Sequence, residues 1–542
     1  MKAGKKILGI WVGVNLPFFV SGVSAMEPDS IYRREKIEVG MDSGIVSRTL
    51  SSLPAVAIDS LGMEARVDSS RVDTAFQVPQ EISNPDWDIA VPPRKRPWLS
   101  GVEVVGTNAL FHIITRYIIH EDYAQITWSS IKNNFKTGFL WDNDKFNTNL
   151  FFHPYQGGLY FNCARSNGLN FWQSAPYALF GSSIWELFLE LQPPSTNDII
   201  STTLGGMALG EVSYRLSSLA LNGQARGWNR FAHEAVGLIL NPVRGVNRLM
   251  TGEAWRVGPR YVDCTATVPF YFQFDAGYRV LDCFDAQPNR SRHIGFIGFN
   301  MVYNDPFEIE GNEPFEHFTA RMSLNLFSRQ PAIGEANICA SIWGRAHDYT
   351  NGNELFAGIF QNYNYYDSES FSSELSHTPF RIAETVSYGP GVLYRANFQR
   401  NNSLLLNGFL SGIVLGSSLS DYFQFHDRDY NMGSGYSVRV NGLFTLKQKL
   451  GLYLAFENYH IFTWKGYEQK DYEHIDQNYL NAQGDVGNAR LQRLNFRASF
   501  ALAPQLSLAA ETAWYRRKTH YKYFPDVRSD TVEFRLMLSY HI

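Results

Sequence analysis

The strongest constraint in this sequence is a period of two that runs through its C-terminal half and is still in force at the last residue. In "TVEFRLMLSYHI", residues 531–542, Val532, Phe534, Leu536, Leu538, Tyr540 and Ile542 alternate with Glu533, Arg535, Met537, Ser539 and His541. Alternation over a dozen residues specifies a strand with one apolar face and one mostly polar face. "FTARMSLNLF", "LNFRASFAL" and "LSLAAETAWY" repeat the design, with Arg321, Arg497 and Glu511 on their polar faces. A final strand that continues to the last residue is what closing a barrel requires, because that strand must pair with the first.

A soluble β-sandwich would show the same alternation with its polar face turned outward, so the connectors carry the distinction. "LAPQ" and "LKQK" are tight, whereas "GYEQKDYEHIDQNYLNAQGDVGNA" and "SLSDYFQFHDRDYNMGSG" are long and polar. Short turns at one end and long loops at the other mark an outer-membrane barrel, whose last strand ends on the periplasmic side. The pattern predicts about twelve strands, with ten or fourteen as the alternatives, at 262–280, 292–303, 316–328, 337–347, 353–366, 380–399, 403–418, 435–446, 451–462, 489–501, 506–520 and 530–542. One connector, "NDPFEIEGNEP", is long for a periplasmic turn.

The other end reads differently. A basic start, "MKAGKK", an apolar run, "ILGIWVGVNLPFFV", and the small residues Val23, Ser24 and Ala25 predict a secretory signal peptide over residues 1–25. Residues 26–97 lack periodicity and close with "VPPRKRPW", which predicts a flexible linker. A polytopic helical membrane protein would carry several apolar runs of about 20 residues, and the slightly negative mean hydropathy speaks against that. Aromatic residues make up 15% of the chain, enough to supply the aromatic girdles of a membrane barrel. A net charge of −4 gives no reason to expect nucleic acid as a partner. Cys163, Cys264, Cys283 and Cys339 show neither a disulfide framework nor zinc-ligand spacing. They read as structural, and no metal or cofactor is expected.

Residues 98–258 change character before the barrel, 259–542, begins. "LSGVEVVGTNALFHIITRYII", "NGLNFWQSAPYALFGSSIWELFLE", "TNDIISTTLGGMALGEVSYRLSSLAL" and "RFAHEAVGLILNPVRGVNRLM" read as long apolar helices interrupted by glutamates. Pro193 and Pro194 end one helix, and Ser195 or Thr196 caps the next. Glu186 and Glu190 lie four apart on one helix face. Asp198 falls in the first turn of the following helix, where the dipole favours a carboxylate. Gly206 and Gly210 form a smooth stripe for close helix packing. A hairpin of these helices brings His153, Glu186, Glu190 and Asp198 together as candidate acid–base residues, with Arg165, Asp142 and Asp144 as candidate binding residues. Each also has a structural reading: Asp198 as a helix-start residue, the glutamates paired to Arg165 or Arg215, His153 as a turn residue before Pro154. Asp142 and Asp144 around Asn143 match only part of a calcium loop. "AHEAV" has Gly237 where a zinc-protease helix needs its second histidine.

The run "WDNDKFNTNLFFHPYQGGLYFNCARSNGLNFW", with "WELFLELQPPSTNDIISTTLGGMALGE" after it, resembles a family of exported Gram-negative envelope proteins known as domain of unknown function 3943. The resemblance rests on Trp141, Asp142, Asp144, Phe146, Asn149, His153, Pro154, Tyr155, Gly157, Tyr160 and Phe161. It extends through Arg165, Asn197, Asp198, Gly206 and Glu211 to "NPVRGVNRLMTG", and covers roughly 140 to 255. It implies a family and no activity. More loosely, Glu186 or Glu190, Ser195, Asp198, Gly206 and Gly210 fall in an order similar to VanZ-like helical membrane proteins, which implies a helical site close to lipid.

The sequence therefore predicts a mainly β outer-membrane protein. Its C-terminal antiparallel barrel is preceded by a helical bundle that plugs the lumen or caps the periplasmic mouth. Its partners are outer-membrane lipid and a small solute or lipid ligand. Two functions follow: a channel-like, transport or structural envelope protein, or an enzyme acting on lipid or cell-wall material through the helical carboxylates and histidine.

Overall fold

The computed structural model describes residues 94–141, 144–257, 268–286, 291–310, 312–350, 352–372, 377–398, 402–422, 429–467, 474, 476 and 479–542. The expected signal peptide, nearly all of the expected linker, Asp142 and Cys264 lie outside the described residues. Over the described residues the chain forms two compact units, one comprising Arg94–Ser213 with Thr267–Ile542 and the other Tyr214–Ala266.

Twelve antiparallel strands close the larger unit into a barrel. They are β1 (Phe270–Cys283), β2 (Ser291–Tyr303), β3 (Phe318–Leu326), β4 (Ile333–Asp348), β5 (Glu354–Asp367), β6 (Arg381–Phe398), β7 (Asn402–Leu419), β8 (Tyr430–Leu446), β9 (Leu450–Thr463), β10 (Gly487–Ala503), β11 (Leu506–Tyr521) and β12 (Val527–His541). Each strand pairs with its neighbours in sequence, and β12 closes on β1 in the register Phe274↔Tyr540 and Val280↔Phe534. The final residue completes the seam, since Ile542 and Phe272 exchange backbone hydrogen bonds of 2.9 and 3.2 Å.

The alternation resolves in one direction. Leu494, Phe496, Phe534, Leu536 and Leu538 point outward and are exposed, while their neighbours Arg493, Arg497, Glu533 and Arg535 point inward and are buried. A cylinder with apolar groups outside and charges inside has hydrocarbon as its solvent. This is a transmembrane barrel of the outer membrane, and the sandwich alternative fails.

Several strand boundaries differ from expectation by three residues or more, the start of β4 at Ile333 in place of 337 among them, and the two largest shifts are at the starts of β1 and β8. β1 begins at Phe270, not at 262, and β8 begins at Tyr430, not at 435. The stretch "NMGSG" has loop chemistry, but at Gly433 a Cβ would lie 2.0 Å from the Phe462 carbonyl oxygen. Glycine here admits close strand pairing. The long connector between β2 and β3 folds into the lumen mouth. Asp305 pairs with Arg395 at 2.8 Å, Phe307 lies under the Arg395 guanidinium, and Phe307 and Ile309 pack on Phe356, Phe360 and Leu393.

The helices of this unit are α1 (Pro97–Ile113), α2 (Trp128–Thr137), α3 (His153–Arg165), α4 (Phe171–Ile184), α5 (Thr196–Ile200) and the start of α6 (Gly206–Ala220). They pack on the outside of the barrel wall, which corrects the expectation of a lumen plug or a periplasmic cap. Tyr363 and Tyr365 share the outward face of β5 with the exposed Ile359, yet both are fully buried. The Tyr363 hydroxyl donates to the Leu150 carbonyl at 2.7 Å, and Phe146 packs on the rings of Tyr365 and Tyr430. On the same wall Gln361 donates to the Leu204 carbonyl at 3.4 Å. At the far end, Phe171 stacks on Phe315 of the β2–β3 connector.

Two single π-turns, Thr148–Phe152 and Ser201–Gly205, supply the carbonyls that meet the wall. The wall is suited to this because its outward residues there carry hydroxyls and an amide in place of aliphatic groups. Glycine lets the two helical segments meet: a Cβ on Gly206 would lie 2.5 Å from the Gly157 carbonyl carbon, and one on Gly210 3.0 Å from the Gly158 carbonyl oxygen. The small-residue stripe expected from Gly206 and Gly210 thus finds a matching pair on α3.

In the smaller unit, the end of α6 is followed by α7 (Gly227–Leu240) and α8 (Pro242–Met250). Arg248 forms a bidentate pair with Glu234 at 2.8 and 2.9 Å, and Arg244 donates to the hydroxyl of Ser217 and the carbonyl of Tyr214, both at 3.0 Å.

A Cβ on Gly157 would fall 1.7 Å from the Thr202 carbonyl oxygen, so Gly157→Ala should destabilise the helical segment by about 1–3 kcal/mol or more. Limited proteolysis should cut between residues 97 and 213 in this variant, while the unboiled-versus-boiled gel shift of the barrel persists.

Candidate functional site

The site forms where α4 ends and α5 begins. α4 passes into a π-turn, Trp185–Leu189, that carries Glu186 inward, and the chain reverses through Pro193 and Pro194. Ser195 then caps α5: its Oγ accepts from the Asp198 backbone N–H at 3.3 Å. Glu186 Oε2 accepts the Ser195 N–H at 2.8 Å, so one carboxylate fixes the cap of the helix that carries the next. Glu190 Oε1 accepts from the Trp185 indole at 2.5 Å, and Asn197 donates to Asp198 at 2.9 Å.

His153 opens α3 across from this hairpin. Its Nε2 lies 3.7 Å from Asp198 and 3.8 Å from Asp144. Both distances exceed a direct hydrogen bond, and Nε2 is buried with no hydrogen-bond partner. His153, Glu186 and Asp198 are all buried, whereas the Asp144 side chain is 52% exposed and marks the side from which the cluster can be reached. Burial, then the charges of Glu190 and Asp198, holds the Glu186 carboxyl well above the usual carboxylate range. Burial pulls the His153 imidazole down, but the Asp144 carboxylate, then Glu186 and Glu190, outweigh it and lift it to about 9.

The structure thus brings together His153, Glu186, Asp198 and Asp144, with Glu190 close enough to act on the first two. Arg165 stands apart and forms a bidentate pair with Glu211 at 2.7 and 2.9 Å. Among the described residues, no three His, Cys, Asp or Glu side chains are grouped to hold a metal ion. Chemically, the arrangement is an imidazole between two carboxylates beside a third that favours its proton. It suits proton exchange and the capture of a cationic or hydroxyl-bearing group.

Sequence reasoning missed the wall side of this site. Asn149 donates to the Tyr430 hydroxyl at 2.5 Å, and Tyr430 donates to the Asp144 carbonyl at 2.7 Å. Trp141 meets Trp464 beyond β9, and Asn133 donates to the Tyr479 hydroxyl at 2.9 Å. An outward tyrosine on a strand reads in sequence as part of an aromatic girdle, so no signal separated Tyr363, Tyr365 and Tyr430 from lipid-facing residues.

Charged side chains line the lumen. Arg321 pairs with Glu511 at 3.0 Å and Glu335 at 3.4 Å, Arg493 with Glu457 at 3.0 Å, Arg535 with Glu335 at 3.3 Å and Arg497 with Asp275 at 3.4 Å. These pairs cross from strand to strand and make a belt of alternating sign. Toward the long-loop end, Phe371 and Phe380 of the β5–β6 connection enter the lumen and pack among Leu281, Ile294, Ile382, Ile461 and Leu491.

Residues 138–243 match the family described as domain of unknown function (DUF3943). Among curated proteins none matches the sequence. Solved structures similar to the barrel include the KdgM porin in complex with disordered oligogalacturonate, at 10% identity over 49% of this chain and 98% of that one, with a TM-score of 0.22. The NanC porin is similar at 11% identity over 50% and 98%, TM-score 0.25. The outer-membrane channel DcaP of Acinetobacter baumannii is similar at 10% identity over 51% and 96%, TM-score 0.20. At these values nothing about ligand or transport passes from them to this chain.

The two shifts act on stability in the same direction. A carboxyl raised on folding, as at Glu186, opposes the folded state once pH exceeds the ordinary carboxylate range. An imidazole lifted from 6.5 to about 9 stabilises fully below 6.5, and that contribution is lost as pH rises to about 9. The helical segment should therefore melt at progressively lower temperature as pH is raised across this interval, read by far-UV circular dichroism with the barrel intact. His153→Gln should flatten the profile between those two values.

Proposed function

We propose that this outer-membrane barrel is the scaffold for a lipid-binding site on its outer wall. In this reading the His153, Asp144, Asp198 and Glu186 cluster takes the polar headgroup of a membrane lipid. One observation carries the reading: a buried polar cluster lies in helices that face the lipid side of the barrel rather than its lumen. Two further features agree with it. α1 and α4 expose Trp98, Val102, Leu110, Ile113, Trp172, Leu179 and Phe180 while burying Ser100, Asn108, Ser174 and Ser182. Apolar outside and polar inside is the pattern of helices in contact with lipid, and inverts that of a surface helix in water. No described helix is long and apolar enough to cross a membrane, so the segment leans on the barrel for its place in the bilayer. The cluster carries three carboxyl groups around one imidazole, which favours an amine- or hydroxyl-bearing headgroup.

Native mass spectrometry of the full chain extracted in mild detergent tests this. Wild type should retain lipid, and His153→Gln and Asp198→Asn should lower the retained fraction about tenfold, as loss of a buried charged contact does. The gel shift of the barrel should remain in both. Equal lipid retention in all three proteins would refute the reading.

A gated channel is the second reading, favoured by the β2–β3 connector, which closes one mouth through the pairs of Arg395 with Asp305 and Glu354. It predicts silent wild-type protein and step currents for Arg395→Ala in planar bilayers. Silence in both would leave the scaffold reading alone.

A further inference from the structure

We infer that the hairpin of α7 and α8 lies flat on an anionic lipid surface, with Trp228, Phe231, Met250 and Trp255 in the interface. Those four side chains are 84%, 63%, 71% and 76% exposed, an apolar group that a water-facing hairpin would bury. Val246 and Leu249 extend the same exposed set along α8.

The interior of the hairpin is polar and largely hydrogen-bonded. Arg230 is buried and donates to the carbonyls of Asn222 at 2.8 Å, Glu253 at 2.7 Å and Ala254 at 3.2 Å. Its neighbour Glu234 is held by Arg248. His233 is buried against the Ala220 carbonyl at 2.6 Å, and Asn241 caps α8 through the Arg244 N–H at 3.0 Å. The charged groups of Arg230 and Glu234 are thus partnered inside, leaving the exposed aromatic and aliphatic side chains to be covered from without. Such a surface has one side chemically committed to a non-aqueous medium.

Charge and composition select lipid as that medium. Residues 222–257 carry five arginines, two glutamates and neither lysine nor aspartate, and Arg226 and Arg256 are exposed. These two lie beside Trp228 and Trp255 in sequence, and positive charge next to exposed indoles matches an anionic headgroup layer; tryptophan favours the bilayer interface over other surfaces. Among the described residues the next element after the hairpin is β1, a membrane-spanning strand, so the same chain is inserted in a bilayer.

Collision accessibility of the full chain in phosphatidylglycerol-containing vesicles tests the inference. Phe231→Cys and Met250→Cys would each be spin-labelled, with labelled wild type as the blank for native cysteines and Gln224→Cys as an exposed control. Oxygen should collide several-fold more often than a water-soluble nickel chelate at positions 231 and 250, and the order should reverse at 224. Nickel-dominated collisions at 231 and 250 would overturn the inference by placing the face in water. Low collision with both reagents would overturn it by showing cover from protein, either a second copy or the N-terminal segment. Insertion that is equal in vesicles lacking phosphatidylglycerol would overturn the anionic requirement. Should a labelled variant fail to fold, brominated phosphatidylglycerol gives an independent reading. Quenching should be greater in wild type than in the Trp228→Phe, Trp255→Phe variant, and an equal quenched fraction would sink the inference.

Discussion

Everything else in this molecule depends on the seam between β1 and β12. In hydrocarbon an unpaired backbone amide has no water to turn to, and each costs several kcal/mol, of the order of 2–7. The reciprocal bonds between Phe272 and Ile542 are the last of the set that removes every free edge from the cylinder. Only a closed wall gives outward Leu536 and Leu538 a legitimate solvent, and only a closed wall makes the inward arginines and glutamates interior groups. The belt formed by Arg321, Glu511, Arg493 and Glu335 can exist because closure brings strands far apart in sequence to face one another. Breaking one partner there would strand a buried charge, at a cost of about 3–5 kcal/mol.

The barrel was legible because its signal is local and repeated. A period of two reports which residues share a face, and loop length reports which end of the barrel each connector occupies. What periodicity cannot report is which faces meet. Nothing in Tyr363, Tyr365 or Tyr430 distinguishes a tyrosine covered by a helix from one in a headgroup girdle, so the placement of the helices against β5, β6 and β8 stayed hidden. The "NMGSG" stretch failed for a related reason. Glycine is ordinarily turn chemistry, and here it serves close approach between strands. The long "NDPFEIEGNEP" connector was visible as a misfit, but its fold into the lumen depends on Arg395, almost a hundred residues away.

The helical cluster was more legible than its surroundings. Spacing placed Asp198 at a helix start, and the hairpin before it follows from Pro193 and Pro194. The expected shared helix face of Glu186 and Glu190 is corrected, because a π-turn ends at Leu189 and Glu190 sits beyond it in extended backbone. His153 joined by proximity that only the fold supplies. Arg165 looked equally available in sequence, and its bidentate pair with Glu211 removes it from the cluster. The helix-start reading of Asp198 holds, since its N–H donates to the Ser195 cap, and the same residue faces His153.

The docked wall is not built to face lipid. Gln361, Thr385 and Ser417 face outward on β5, β6 and β7 and are fully buried. Were the cylinder to enter the bilayer first, these groups would meet acyl chains before any helix reached them. Each would add a desolvation penalty to an insertion step that already handles the charged lumen. With the segment from Arg94 to Ser213 seated on the wall, protein covers these groups in place of acyl chains, so the barrel's lipid-facing perimeter is interrupted along β5 to β8.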